Sequence, residues 1–372
     1  MRSTRWLIGA VAAVLLLASP GRAQPSPRER VRMDSGWRFA LGHAADPARD
    51  FGFGTGAPWA KAGDAVGAAR TEFDDSAWRE VDLPHDWAVE LPFVQDPDED
   101  HTTHGSKPVG RRYPETTVGW YRKRFAIPAT DDGKRVWVEF DGVFRDCHVW
   151  LNGHLLARNE SGYIGFAFDA TDYLNYGGEN VLAVRADASH YEGWFYEGAG
   201  IYRHVWLSKT GPLHVARDGI AVRTEIAPDR STATVTVETD IANEAEPASA
   251  VTLRTRLIDP KGSEVAQLEV DGLRLDGRSS RHASPRLAVG HPDPWSPDHP
   301  SLYRVVTTVL RDGAVADEVT TRIGFRTAVF DKDRGFLLNG KPLKIQGVCC
   351  HQDHAGVGSA LPDRLQALIN ES

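Results

Sequence analysis

Residues 136–153 read Val-Trp-Val-Glu-Phe-Asp-Gly-Val-Phe-Arg-Asp-Cys-His-Val-Trp-Leu-Asn-Gly, and their pattern decides the fold class. Val136 to Phe140 alternates small apolar and larger side chains, as a strand does, and ends at the Asp141-Gly142 turn signal. His148 to Leu151 is the next strand, closed by Asn152-Gly153, a strong two-residue hairpin cue. Outward from here the same rhythm recurs at Val181–Val184 and Val205–Leu207. Short strands at this spacing predict one jelly-roll β-sandwich over 28–210.

The segment Asp46–Asp74 breaks the rhythm. It is rich in Gly and Ala and predicts a long surface loop. Its Gly52-Phe53-Gly54-Thr55-Gly56 run lacks the preceding strand and following helix that a phosphate loop needs. Asp96–Asp100 with His101 and His104 predicts a solvated acidic loop in preference to a metal site.

From residue 211 the pattern changes. Ala233, Val235 and Val237 alternate with Thr234, Thr236 and Glu238, a half-buried strand. Val251–Leu257 and Tyr303–Leu310 continue the series, and 211–325 predicts an immunoglobulin-like β-sandwich without a core disulfide. Over 326–372 the reading is a strand and turn at Phe336–Pro342, then a strand over Lys344–Cys350 buried on both faces, then a helix. Leu361, Leu365, Leu368 and Ile369 share one face of that helix. Together these make one βα unit.

The ends and the composition bound the function classes. Arg2 and Arg5 precede an apolar run, Leu7–Ala18, too short for a comfortable membrane span. Residues 1–23 therefore predict a signal peptide cleaved after Ala23, and export to a periplasm or outside the cell. No membrane association is expected after cleavage. A net charge of −8 argues against nucleic acid. The 11 Trp residues suit β-structure with aromatic surfaces for sugar. The three cysteines form no C-x-x-C pair, and Cys147, Cys349 and Cys350 all predict buried small hydrophobes.

Several ordered motifs carry a resemblance. They are Trp78–Trp87 (WREVDLPHDW), Gly119–Phe125 (GWYRKRF), Phe140–Val143 with Val149–Gly153, Trp194–Arg203 (WFYEGAGIYR), Gly324–Arg326, and Asn339–Val348 running into His351-Gln352-Asp353-His354. In this order they resemble family two of the glycoside hydrolases, which holds β-galactosidases, β-glucuronidases and β-mannosidases. The surroundings of His351–Gly358 resemble β-galactosidases most. The resemblance implies a jelly roll, an immunoglobulin-like domain and a (β/α)₈ barrel, the last needing about 250 residues. Only 47 residues follow Phe325, enough for the first βα unit of a truncated barrel.

Retaining glycosidases use two carboxyl groups about 5 Å apart. The family's pair are glutamates on later barrel strands, so the expectation is that neither catalytic residue is present and that this chain alone is inactive. Glu371 matches no family motif. The resemblance implies substrate contact by His354, with His351 and Asp353 beside it at a strand end. For the histidine the alternative is a structural loop role. Trp194 and Tyr196 are candidates to stack on a pyranose, the alternative being plain packing. Asp86 is expected to bond between domains, and Arg203 to pair with a carboxylate inside its own domain.

The implied partner is a carbohydrate of β-galactoside type. No metal or cofactor is expected, and homo-oligomers occur among relatives. The competing readings are a non-catalytic carbohydrate-binding module, an inactive gene fragment, or a β-glucuronide or β-mannoside enzyme.

Overall fold

The structure, a computed structural model, describes residues 27–56, 65–95, 105–193 and 195–371. The predicted signal peptide and the Asp96–His104 acidic stretch lie outside them. The first ten strands are β1 (Glu29–Arg32), β2 (Trp37–Leu41), β3 (Arg79–Val81), β4 (Val118–Ala126), β5 (Arg135–Phe140), β6 (Cys147–Leu151), β7 (His154–Asn159), β8 (Phe166–Asp169), β9 (Glu179–Asp187) and β10 (Val205–Thr210). They form two antiparallel sheets, β3-β2-β4-β9-β6-β7 and β1-β10-β5-β8. Alternation along β5 turns Val136, Val138 and Phe140 inward, and Val138 lies between Leu207 and Phe168 in register. Asn152 and Gly153 both take positive φ, 50° and 82°, as a tight hairpin between β6 and β7 requires. Asp141-Gly142 does a different job: β5 and β6 lie in different sheets, so this turn carries the chain across the sandwich.

The stretch predicted as a surface loop is instead a buttress. The outer face of the six-stranded sheet carries Trp120, Trp150 and Ala183, which need cover. Phe51, Phe53, Ala68 and Ala69 supply it. The Asp50 carboxylate accepts from Trp120 Nε1 (2.7 Å) and Arg185 Nε (2.8 Å), all three side chains being buried. Arg122 donates to Asp75 (2.7 Å) and to the carbonyls of Ala68 and Arg70. Buried guanidinium groups must be paired, and the irregular segment provides the partners that a sheet face cannot. Gly67 sits at φ +56° against the Phe51 carbonyl, where any Cβ would collide.

The next eight strands are β11 (Leu213–Ile226), β12 (Thr232–Asn243), β13 (Ser249–Ile258), β14 (Glu264–Leu275), β15 (Ser279–Ala283), β16 (Arg286–Gly290), β17 (Tyr303–Arg311) and β18 (Ala314–Ile323). They make a second sandwich, with β15 and β16 both pairing β12 in one sheet and β14-β13-β17-β18 in the other. Val235, Val237, Leu257, Val305 and Phe325 fill part of its core. Arg28 fastens the two sandwiches, donating to Asp317 (2.8 Å) and to the Val215 carbonyl (2.6 Å).

A small sheet follows, β19 (Ala328–Asp331), β20 (Gly335–Leu338) and β21 (Lys341–Pro342), and the described chain ends in helix α1 (Asp363–Glu371). The expected buried strand over Lys344–Cys350 does not form. Among the described residues this stretch pairs with no strand, and it is exposed, Val348 at 93%. A strand buried on both faces needs neighbouring strands and covering layers, and the described residues supply neither. Cys349 and Cys350 are consequently exposed, against expectation. Cys147 is buried as predicted, and burial pushes its thiol up to about 12.

Helix α1 is tied to the first sandwich by His204. Its Nδ1 lies 2.7 Å from Asp34 and its Nε2 2.8 Å from Asp363, which also accepts from Arg32 at 3.1 Å. Burial opposes the imidazolium, but the Asp363 and Asp34 carboxylates outweigh it and hold His204 above its usual value. His204 and Arg32 hold Asp363 below its own.

Two outcomes follow from these contacts. Asp50→Ala leaves Trp120 Nε1 and Arg185 Nε without their buried acceptor, and should cost about 3 kcal/mol in urea unfolding. The His204 contribution is full below its unfolded value of 6.5 and fades as pH rises through the raised folded value. The Asp363 contribution is present above 3.8 and fades as pH falls through its lowered value. Protection of α1 amides from hydrogen exchange should therefore peak between those limits, and His204→Gln should abolish the alkaline loss.

Candidate functional site

Where the first sandwich meets the segment leading to α1, one carboxylate gathers three pieces of chain. Asp86 follows the cis Leu83–Pro84 bond and is 2% exposed. It accepts from its near neighbour Ala88 N (3.0 Å), from Ala199 N (2.9 Å) and the Tyr196 hydroxyl (2.8 Å), and from Ser359 N (2.9 Å) and Oγ (3.1 Å). The bond to Ser359 crosses from sandwich to C-terminal segment, as the sequence reading expected of Asp86. Burial raises its carboxyl, with the donors acting the other way. The fit explains the glycines around it: a Cβ on Gly198 or Gly358, both at positive φ, would fall within 2.3 Å of Asp86 Oδ2.

A second buried carboxylate, Glu197, has donors distinct from those of Asp86. It accepts from the backbone amides of Gly193 (2.8 Å) and Glu192 (3.1 Å) and from the Tyr163 hydroxyl. Burial raises its carboxyl as well. Adjacent residues are thus each anchored, Tyr196 to Asp86 and Glu197 to Tyr163.

Between the anchored loop and the C-terminal segment lies a cleft of about 350 Å³. Tyr163, Phe195 and Tyr196 line it together with Cys349, Cys350, His351 and Gln352. The Phe195 ring stands edge-on to His351 (centroids 5.7 Å) and 6.2 Å from Tyr163. A second hollow of about 410 Å³ adjoins beyond Gln352, lined by Arg203, His204 and Asp363 among others. Arg203 donates to Gln352 Oε1 (3.0 Å), so it pairs with an amide across the seam and not with a carboxylate of its own domain.

Of the residues singled out from sequence, Tyr196 and His351 line the cleft. Burial, followed by the nearby Asp86 charge, lifts the Tyr196 phenol far above its usual value, so it acts as a fixed donor. His354 and Asp353 are exposed and are not among the lining residues. The His354 imidazole donates to the Ala355 carbonyl (3.0 Å) within its own turn. Trp194 lies outside the described residues. Tyr163, Phe195, Glu197 and Gln352 were not singled out. Phe195 and Glu197 stood inside a quoted motif, but Tyr163 is 34 positions from Glu197 and carries no local signal.

Aromatic faces and edges, one imidazole and one amide suit a ligand with apolar faces and hydroxyl edges. Asp86 and Glu197 are buried and saturated by donors from the chain. Among the described residues no group of His, Cys, Asp and Glu could hold a metal.

Comparisons with known proteins give the family of the chain. Residues 32–211 match the family described as "Glycosyl hydrolases family 2, sugar binding domain", and residues 213–326 match "Glycosyl hydrolases family 2". The chain is 39% identical over 340 residues to the β-galactosidase BoGH2A of Bacteroides ovatus, covering 91% of this chain and 36% of that one. It is 31% identical over 317 residues to a β-glucuronidase of Formosa agariphila, covering 79% and 31%. A crystal structure of a glycosyl hydrolase family 2 member from Bacteroides cellulosilyticus superposes with a TM-score of 0.78 at 33% identity, covering 92% and 41%. The chain therefore spans about a third of the length of the curated relatives it matches. Two ordered family matches over two β-sandwiches, and a neighbour of the same family, establish that this chain belongs to family 2 of the glycosyl hydrolases.

Proposed function

We propose that these residues form the substrate-side part of an exported β-galactosidase-type hydrolase, one that cleaves terminal β-glycosidic bonds in carbohydrates. The observation that carries the reading is the seam: Asp86 bonds the first sandwich to Ser359 beside a cleft that Tyr196 and His351 both line. The match to a Bacteroides ovatus β-galactosidase supports the galactoside label. Glucuronidase relatives favour a β-glucuronide as the second reading. The basic and apolar leader at residues 1–23 supports export.

In this reading the chain orients the sugar and excludes water, while the acid/base and nucleophile glutamates come from a barrel beyond these residues. The 47 residues after Phe325 would be that barrel's opening. The His351 imidazole and the Gln352 amide offer hydrogen bonds to sugar hydroxyls, and the ring of Tyr196 stays fixed through its hydroxyl.

The purified chain of residues 1–372, free of host enzyme, should bind methyl β-D-galactopyranoside in ligand-observed NMR and release no chromophore from a nitrophenyl β-galactoside. Asp86→Ala should abolish that binding. Turnover by the wild-type chain would overturn the proposed division of labour, and binding undiminished in Asp86→Ala would remove the seam as its basis.

A further inference from the structure

The core of the second sandwich is divided into two apolar clusters. Val237, Leu257 and Val305 belong to one, and Ile241, Leu253 and Val309 to the other. Residues two apart on a strand share a face, so each of three strands places one inward residue between the clusters. On β12 it is Thr239, between Val237 and Ile241. On β13 it is Thr255, between Leu253 and Leu257. On β17 it is Thr307, between Val305 and Val309. Thr255 and Thr307 are direct partners in the register of their sheet, and β12 belongs to the opposing sheet. Three hydroxyl-bearing side chains therefore form a polar belt across an otherwise apolar core.

All three threonines are 0% exposed, and each Oγ1 is buried with no hydrogen-bond partner in the protein. A hydroxyl so placed gives up solvent and gains nothing, whereas buried polar groups are almost always satisfied by protein or by ordered water. Strand preference does not ask for these oxygens, since valine offers the same β-branching without one. The surroundings of Thr239 are also irregular. Its partner on β11, Ile220, follows a break in register after Val215. Its partner on the other side is the small Ala283, where β15 ends, and β12 then pairs β16 instead. The belt thus coincides with a bulge, a small side chain and a change of partner strand, all of which interrupt regular sheet packing.

We propose that Thr239, Thr255 and Thr307 form an internal hydration site, in which one water molecule links the two sheets through the three hydroxyls. An internal water makes about three hydrogen bonds to groups that would otherwise be unsatisfied, which is what the belt offers. The guest is neutral. The side chains paired in register with the belt are Ile220, Ala283, Leu268 and Val319, and none of them could balance an ion. A hydroxyl both donates and accepts, so three of them match a molecule that does the same. The site lies outside the cleft of the first sandwich and does not depend on how that cleft is read.

The test uses the full 372-residue chain and two readouts. The first is the oxygen-17 relaxation dispersion of water, to which exchanging hydroxyl protons contribute nothing. Relative to wild type, the triple variant Thr239→Val, Thr255→Val, Thr307→Val should lose about one long-lived water. The second is amide hydrogen exchange, by mass spectrometry, over β12, β13 and β17. The double variant Thr255→Val, Thr307→Val leaves Thr239 and the water with one hydroxyl between them, and should exchange about tenfold faster than wild type. The triple variant should return to within about twofold of wild type, or exchange more slowly, because no buried hydroxyl is then left to satisfy.

An oxygen-17 dispersion that is the same in the triple variant and the wild type overturns the site. Exchange that slows with each added valine also overturns it, since each hydroxyl would then be a separate, unlinked cost. Exchange that keeps quickening up to the triple variant does so too, since each hydroxyl would then have a partner of its own. Valine keeps the shape and branching of threonine, so the variants retain the fold on which both readouts depend.

Discussion

The Asp86 carboxylate is the contact on which the functional end of this chain depends. Its partners are Ala88, Ala199 and Tyr196 of the first sandwich and Ser359 from the segment beyond the second. A buried carboxylate left without donors would be strongly destabilising. The need to satisfy it therefore forces two loops far apart in sequence to close on one point. Gly198 and Gly358 are the steric condition for that closure, since both leave room at Oδ2 that a side chain would fill. Once the point is closed, Tyr196 has one orientation and the cleft has a wall.

The same logic of buried charge recurs on the outer face of the sandwich. Asp50 meets Arg185 and Trp120, and Asp75 meets Arg122. These pairs convert a glycine-rich, aperiodic stretch into a fixed cover over Trp120 and Trp150. The two devices divide the molecule's work. One closes the back of the six-stranded sheet, and the other fixes the edge of the sandwich against the chain that follows. Helix α1 is held more lightly, by the largely solvent-facing Asp363 carboxylate and the His204 bridge, which suits a junction and not a core.

How much could be read in advance follows from where each signal resides. The strands around Val136–Phe140, Cys147–Leu151 and Ala233–Val237 announce themselves, because inside and outside alternate residue by residue and the hairpin at Asn152-Gly153 needs positive φ at both positions. Ordered motifs told the family. The Lys344–Cys350 stretch misled, because its apolar run states a need for burial on two faces without stating whether neighbours exist to meet it. Residues 46–74 misled in the opposite sense: without a period they read as loose chain, yet their backbone carbonyls and one carboxylate serve arginines on β4 and β9.

At the site the division is sharper. The sequence by itself determined two successive sandwiches, the family, and the aromatic motif at 194–203, because these are written in local alternation and contiguous motifs. Only the tertiary structure decided which of those residues face a ligand-sized space. It turned His354 into its own turn and brought His351 to Phe195. It also joined Tyr163 to Glu197 and Asp86 to Ser359 across 273 positions. The physical reason is that a buried carboxylate selects its donors by distance in space and by desolvation, and neither quantity is recorded along the chain.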